Sequence, residues 1–152
     1  MKKLFHFDTS PEGYASDAVV VGCFDHRFEL VTQKFLKRLQ IASPDRIKVA
    51  GGVKALVNGD ATGGREFLLQ QVRDSARLHG TRRVLLLAHS DCGAYGGLAA
   101  FDGDEDREAR HHADALHQAA SIIGAAMPGL KVECYLLKFD GVFALAAPAD
   151  GG

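Results

Sequence analysis

Two short apolar runs in this chain each break off into residues that bind metals. Ala18-Val19-Val20-Val21-Gly22 runs directly into Cys23, and Val84-Leu85-Leu86-Leu87-Ala88 runs directly into His89-Ser90-Asp91-Cys92. Runs of this length and composition read as buried strands. The second is apolar at every position, as suits a strand covered on both faces. Such strands need helices over them, and in an open α/β sheet ligands bind where the strands run out at their carboxyl edge. Cys23, His89 and Cys92 are therefore candidates for one site. Two thiolates and one imidazole make a soft donor set that suits zinc. Three protein ligands leave the fourth position open, which is the arrangement of a catalytic zinc rather than a structural one.

The rest of the chain fits that frame. Strand candidates are Ala18–Gly22, Arg46–Ala50, Arg83–Ala88, Lys131–Leu137 and, after the turn signal Asp140-Gly141, Val142–Leu145. Between them Leu30, Val31, Phe35, Leu36 and Leu39 recur at helical spacing, with Pro44 just beyond the end. Phe67, Leu68, Val72, Ala76 and Leu78 form a second stripe closed by Gly80. A short helix is expected from Gly93 to about Phe101, and a longer one over Arg107–Ala126 before Pro128-Gly129. The order βαβαβααββ calls for right-handed parallel crossovers. The expected fold is a three-layer α/β domain: a mostly parallel β-sheet of about five strands, one antiparallel at the edge, flanked by helices. The 152 residues suffice for one domain with one core, and no repeat or linker divides residues 1–152. Asp102–Asp106 reads as an acidic loop and Ala146–Gly152 as a loose tail.

Composition narrows the function classes. Eighteen basic against 19 acidic residues give a net charge of -1, with no basic face for nucleic acid. No apolar run approaches the roughly 18 residues of a membrane span. The charged start Met1-Lys2-Lys3 has no apolar segment behind it, so no signal peptide is expected and the cytoplasm is the default location. Three cysteines argue against a disulfide framework. Cys134, inside a strand candidate, reads as a small buried apolar residue.

Asp25 and Arg27 supply the chemistry around the metal. In extended chain they alternate with Cys23 and point to the same side. Arginine can hold a carboxylate by two parallel hydrogen bonds. Asp25 so held stays off the metal and can accept a hydrogen bond from a metal-bound water or hydroxide. Zinc lowers the pKa of such a water from about 15.7 toward roughly 7. The expected reaction class is attack on a small electrophilic carbon.

These residues resemble the β-class carbonic anhydrases. The family signature, Cys-x-Asp-x-Arg followed by His-x-x-Cys, is present as Cys23-Phe24-Asp25-His26-Arg27 and His89-Ser90-Asp91-Cys92. Ala50-Gly51-Gly52 stands where the family has an Ala-Gly turn, and the element order matches from Val19 to Leu145. The resemblance implies that Cys23, His89 and Cys92 bind zinc and that Asp25 and Arg27 orient the zinc-bound hydroxide. It implies reversible hydration of carbon dioxide to bicarbonate, and a homodimer or higher homo-oligomer. Carbonyl sulphide and carbon disulfide hydrolases share these motifs, and a non-catalytic zinc-binding relative with a regulatory role is the alternative from another class. The chain departs from the pattern at Lys48-Val49, where Arg-Asn is usual, at Asp60-Ala61-Thr62-Gly63-Gly64, which replaces a longer segment, and in having little of the N-terminal helical arm.

Other polar residues have plainer readings. Ser90 and Asp91 either orient the ligands or cap the following helix. Gly93 is expected to let the chain turn after Cys92, and Gly51 and Gly52 to form a tight turn beside the pocket. Tyr95 and Phe24 line a pocket or pack in the core. His111, His112 and His117 read as solvated positions on a helix, and alternation places His26 opposite Asp25.

Overall fold

The computed structural model describes residues 1–59 and 64–146. The Asp60–Gly63 part of the divergent stretch, and the tail beyond Ala146, lie outside the described residues. The strands are β1 (Ala18–Gly22), β2 (Pro44–Lys48), β3 (Arg83–His89), β4 (Lys131–Lys138) and β5 (Gly141–Ala144). The α-helices are α1 (Glu29–Arg38), α2 (Lys54–Val57), α3 (Gly64–His79) and α4 (Glu105–Ala126). The strands form one sheet in the order β2-β1-β3-β4-β5. Neighbours pair in parallel except β5, which returns antiparallel on β4. This is the three-layer α/β architecture expected above.

Side-chain alternation along the strands builds the two covering layers. Val19 and Val21 of β1, Val84 and Leu86 of β3, and Leu136 of β4 face α2, α3 and α4. Val20, Leu85, Leu87 and Leu137 face the opposite side, where Phe28, Leu36 and Ile41 around α1 cover them. Every residue of β1 is buried, and β3 is buried from Val84 onward. The burial excludes water from the central strands and so fixes the direction in which their carboxyl ends deliver the chain.

Local differences from the sequence reading have identifiable causes. β2 begins two residues early, at Pro44, because a proline without an N–H is tolerated at the start of an edge strand. α3 begins at Gly64 and buries Leu68, Leu69, Val72 and Ser75, whereas Phe67 and Leu78 of the expected stripe are exposed, as is Leu30 on α1. The expected Gly93–Phe101 helix is two 3-10 turns, Gly93–Tyr95 and Leu98–Phe101. Gly96 and Gly97 part them, with φ of +90° and +66° that end any helix. Residues 1–17 form no helix.

One glycine sets the geometry of the sheet's carboxyl edge. Gly52 has φ +55°, and a Cβ there would meet Cys23 N, the Gly22 carbonyl carbon and Leu87 O, all at 3.1 Å. The β2–α2 turn thus lies against the backbone of both strands that lead to the candidate ligands. Gly52→Ala is expected to cost about 2–4 kcal/mol, from left-handed strain and overpacking together. Urea unfolding measures it, and a loss below ~1 kcal/mol would mean the turn is not tightly seated.

Candidate metal centre

β1 and β3 are adjacent, yet the chain leaves β1 toward β2 on one side and enters β4 from β3 on the other. This reversal of strand order opens a crevice at the carboxyl ends, where α/β sheets bind ligands. Cys23 leaves β1 into that crevice, and His89 is the last residue of β3. Ser90 N–H donates to Leu137 O at 2.9 Å, extending the β3–β4 ladder and holding His89 in place.

The donor atoms of Cys23, His89 and Cys92 lie within 4.8 Å of one another. His89 is 4% exposed and Cys92 2%, while Cys23 is half-buried at the edge of the cleft. His89 Nδ1 lies 2.8 Å from Ser90 O. A carbonyl can only accept, so Nδ1 carries the hydrogen and Nε2 presents a bare lone pair. That buried Nε2 has no hydrogen-bond partner among the described residues. Burial holds the His89 pKa below its ordinary value and keeps the ring neutral. Burial, with Cys23 beside it, pushes the Cys92 thiol up to about 11. An orphaned imidazole nitrogen facing two sulfurs fits a soft metal ion, which would use the lone pair and stabilise the thiolates.

Asp25 and Arg27 meet in a way that extended-chain alternation does not describe. His26–Phe28 is a 3-10 turn with Asp25 as its N-cap, and Asp25 Oδ1 accepts from Arg27 N–H at 3.0 Å. The turn folds the arginine side chain back over the carboxylate. Arg27 Nε donates to both Asp25 oxygens at 3.1 Å, and Nη2 donates to Oδ2 at 2.7 Å. These bonds hold the Asp25 carboxyl down to about 2. Asp25 Oδ2 also lies 4.0 Å from His89 Nε2, beside the donor group.

The sign of the Asp25 shift gives a prediction. Its folded pKa is depressed, so its stabilising contribution is present above the unfolded value near 3.9 and is lost as pH falls toward 2. Carboxyl-carbon NMR of the metal-free chain is expected to show Asp25 titrating near pH 2, and a step above pH 4 would contradict the pairing.

The cleft is walled by Val20, Phe28, Leu87 and Leu137, with Thr32, Arg46 and Lys48 also lining it. Phe28 packs on the His89 ring, centroids 4.5 Å apart. Glu29 pairs with Arg46 at 2.9 Å and with Lys48. Phe24 is 62% exposed, and Tyr95 does not line this cleft. Cys134 is buried in β4, as expected. Gly93 meets no constraint that requires glycine, whereas Asp91 takes the left-handed conformation beside Cys92, with φ +53°.

His112 corrects the sequence reading. Expected in solvent, it is 0% exposed, and Glu108 one turn earlier is 2% exposed. Both lie on the buried stripe of α4 with Ala115, Leu116, Ala119 and Ile123. Continuing that stripe backward from Ile123 would have exposed them in the sequence.

Comparison with known proteins agrees with this architecture. The model of a family described as "Putative carbonic anhydrase" matches residues 15–144. The chain belongs to the β-carbonic anhydrase family. Among solved β-carbonic anhydrases, one of two tetrameric enzymes from Sordaria macrospora superposes with a TM-score of 0.61 at 12% identity, covering 89% of this chain and 83% of that one. The isoform I enzyme of Trichomonas vaginalis superposes with a TM-score of 0.60 at 14% identity, covering 95% and 90%. At such identities these likenesses show the shared fold. An uncharacterised protein of Rickettsia bellii is 28% identical over 148 residues, 93% of this chain and 90% of the relative.

Proposed function

We propose that this β-carbonic anhydrase family member is a zinc enzyme that hydrates carbon dioxide reversibly to bicarbonate. The observation that carries the reading is the unpartnered His89 Nε2 set among two cysteines, with Asp25 locked by Arg27 beside it. Cys23, His89 and Cys92 would hold the ion, and three protein donors leave a position for substrate chemistry. When bound, zinc supplies Lewis acidity that brings a water toward ionisation near neutral pH.

The chain's own groups do the rest. Asp25, kept ionised and held in place by Arg27, accepts a hydrogen bond from a water entering the cleft and orients it. Val20, Phe28, Leu87 and Leu137 offer apolar walls to an uncharged, linear substrate. Arg46 and Lys48, partly exposed on the same cleft, offer positive charge to an anionic product. We also propose that residues 1–152 act as one domain, in the cytoplasm, as a homodimer or higher homo-oligomer. Among the described residues no helix is long and apolar enough to cross a membrane.

The apolar walls would also admit carbonyl sulphide, so the substrate is tested by comparison. On one zinc-loaded preparation, kcat/KM for carbon dioxide, from stopped-flow indicator traces, is expected to exceed that for carbonyl sulphide, from sulfide release. A reversed ratio would assign the site to sulphur substrates. Zinc binding without either turnover would leave a regulatory zinc protein.

A further inference from the structure

A buried carboxylate needs a partner that repays its removal from water. Glu108 Oε1 lies 2.8 Å from Asp91 N and accepts its hydrogen. Asp91 stands between His89 and Cys92 and uses every polar group it has. Its carbonyl accepts from Arg27 Nη2 at 2.9 Å and its Oδ2 from Arg27 Nη1 at 2.9 Å. Its Oδ1 accepts from Leu98 N–H at 2.9 Å. Asp91 therefore joins the ligand turn to Arg27, in a left-handed conformation that a non-glycine residue holds only when its surroundings enforce it.

Glu108 is what ties this turn to the interior. Behind it lies His112, with Nε2 3.6 Å from Glu108 Oε1 and neither ring nitrogen hydrogen-bonded among the described residues. The His112 ring stands edge-on to Tyr95, centroids 4.8 Å apart. At that distance the ring stands beside the carboxylate without a hydrogen bond to it. Of the two polar side chains on an otherwise apolar helix stripe, Glu108 thus reaches the backbone of the metal loop and His112 packs behind it.

We propose that Glu108, backed by His112, is a positioning residue of the metal centre: from α4 it holds the Asp91–Cys92 turn and, through Asp91, the Arg27 guanidinium. The inference rests on the zinc reading for its consequence, though not for the anchor itself.

The test compares Glu108→Gln, which keeps an oxygen acceptor, with Glu108→Ala and Glu108→Asp, which cannot reach Asp91 N–H. Two readouts are taken: exchange of the Asp91 amide by NMR in the metal-free chain, and zinc affinity by competition with a chromogenic chelator. The alanine and aspartate variants are expected to speed Asp91 exchange at least about tenfold and to weaken zinc binding roughly 10- to 100-fold, the usual effect of losing a group that orients ligands. Exchange in β4 should stay at the wild-type rate, and Glu108→Gln should restore both readouts to within about threefold. If Glu108→Ala does not fold, Glu108→Asp decides. Wild-type exchange and affinity in Glu108→Asp would overturn the proposal, and so would exchange quickened equally across the whole sheet. A wild-type chain that takes up no zinc would remove the zinc reading, while Asp91 exchange would still report whether Glu108 holds the turn.

Discussion

Arg27→Ala is expected to keep one zinc per chain and to cut carbon dioxide hydration by roughly 10²–10³-fold, the scale of losing one preorganised electrostatic group. The arginine touches none of the three donors. It fixes Asp25 by Nε and Nη2, and Asp91 by Nη1 and Nη2. Without it the Asp25 carboxylate, already 4.0 Å from His89 Nε2, is free to turn onto the donor group and take the position substrate chemistry needs. Binding then persists and turnover does not. Arg27→Lys should recover little, because an ammonium is a point charge and cannot form the planar fork that spans two acidic residues. Metal analysis and stopped-flow rates on both variants check this. Wild-type turnover in Arg27→Ala would remove the Asp25–Arg27 pair from the mechanism.

Cys23→Ser is expected to weaken zinc binding by at least about 100-fold while leaving the metal-free chain as stable as the wild type. Zinc bound by four protein ligands is worth roughly 10–16 kcal/mol near neutral pH, so one ligand accounts for about 2.5–4 kcal/mol, or roughly two to three powers of ten. A serine hydroxyl stays protonated where a thiol can be ionised by the metal. Cys23 is half-buried at the cleft edge, so its replacement leaves the core intact. Cys134→Ser is the opposite control. Cys134 is 7% exposed, with Sγ 3.5 Å from Leu116 O, and its replacement should alter stability and spare zinc. Zinc affinity of the wild type should also rise with pH through the neutral range. The Cys92 thiol, held up to about 11 by burial, gives up its proton on binding, so raising pH favours the bound form. Equal zinc affinity in Cys23→Ser and wild type would exclude Cys23 from the site.

The strands and the donor group were legible because both rest on local chemistry. A fully apolar run such as Val84–Ala88 has few other uses in a chain this size, and residues that follow it emerge at a sheet edge. β1 falls on its expected bounds, and β3 extends one residue further to include His89. What was hidden depends on geometry across elements. The Asp25–Arg27 contact is made by a 3-10 turn, and the residues involved carry no period that distinguishes such a turn from an extended strand end. The break at Gly96-Gly97 was visible as a dipeptide, but its two positive φ angles were not. Glu108 bonds to a backbone N–H 17 residues away, which no spacing rule anticipates. Its signal was indirect: a glutamate and a histidine standing on an apolar helical stripe, where a polar residue is stable only with a partner.

Zinc content and carbon dioxide hydration measured on the same purified protein, before and after chelation and after zinc is restored, test the central claim most directly. The expected result is one zinc per chain, hydration that disappears with the metal and returns with it. Hydration that survives complete removal of zinc, or a full complement of zinc with no hydration across roughly pH 6.5 to 9, a range that brackets the near-neutral ionisation of zinc-bound water, would contradict it.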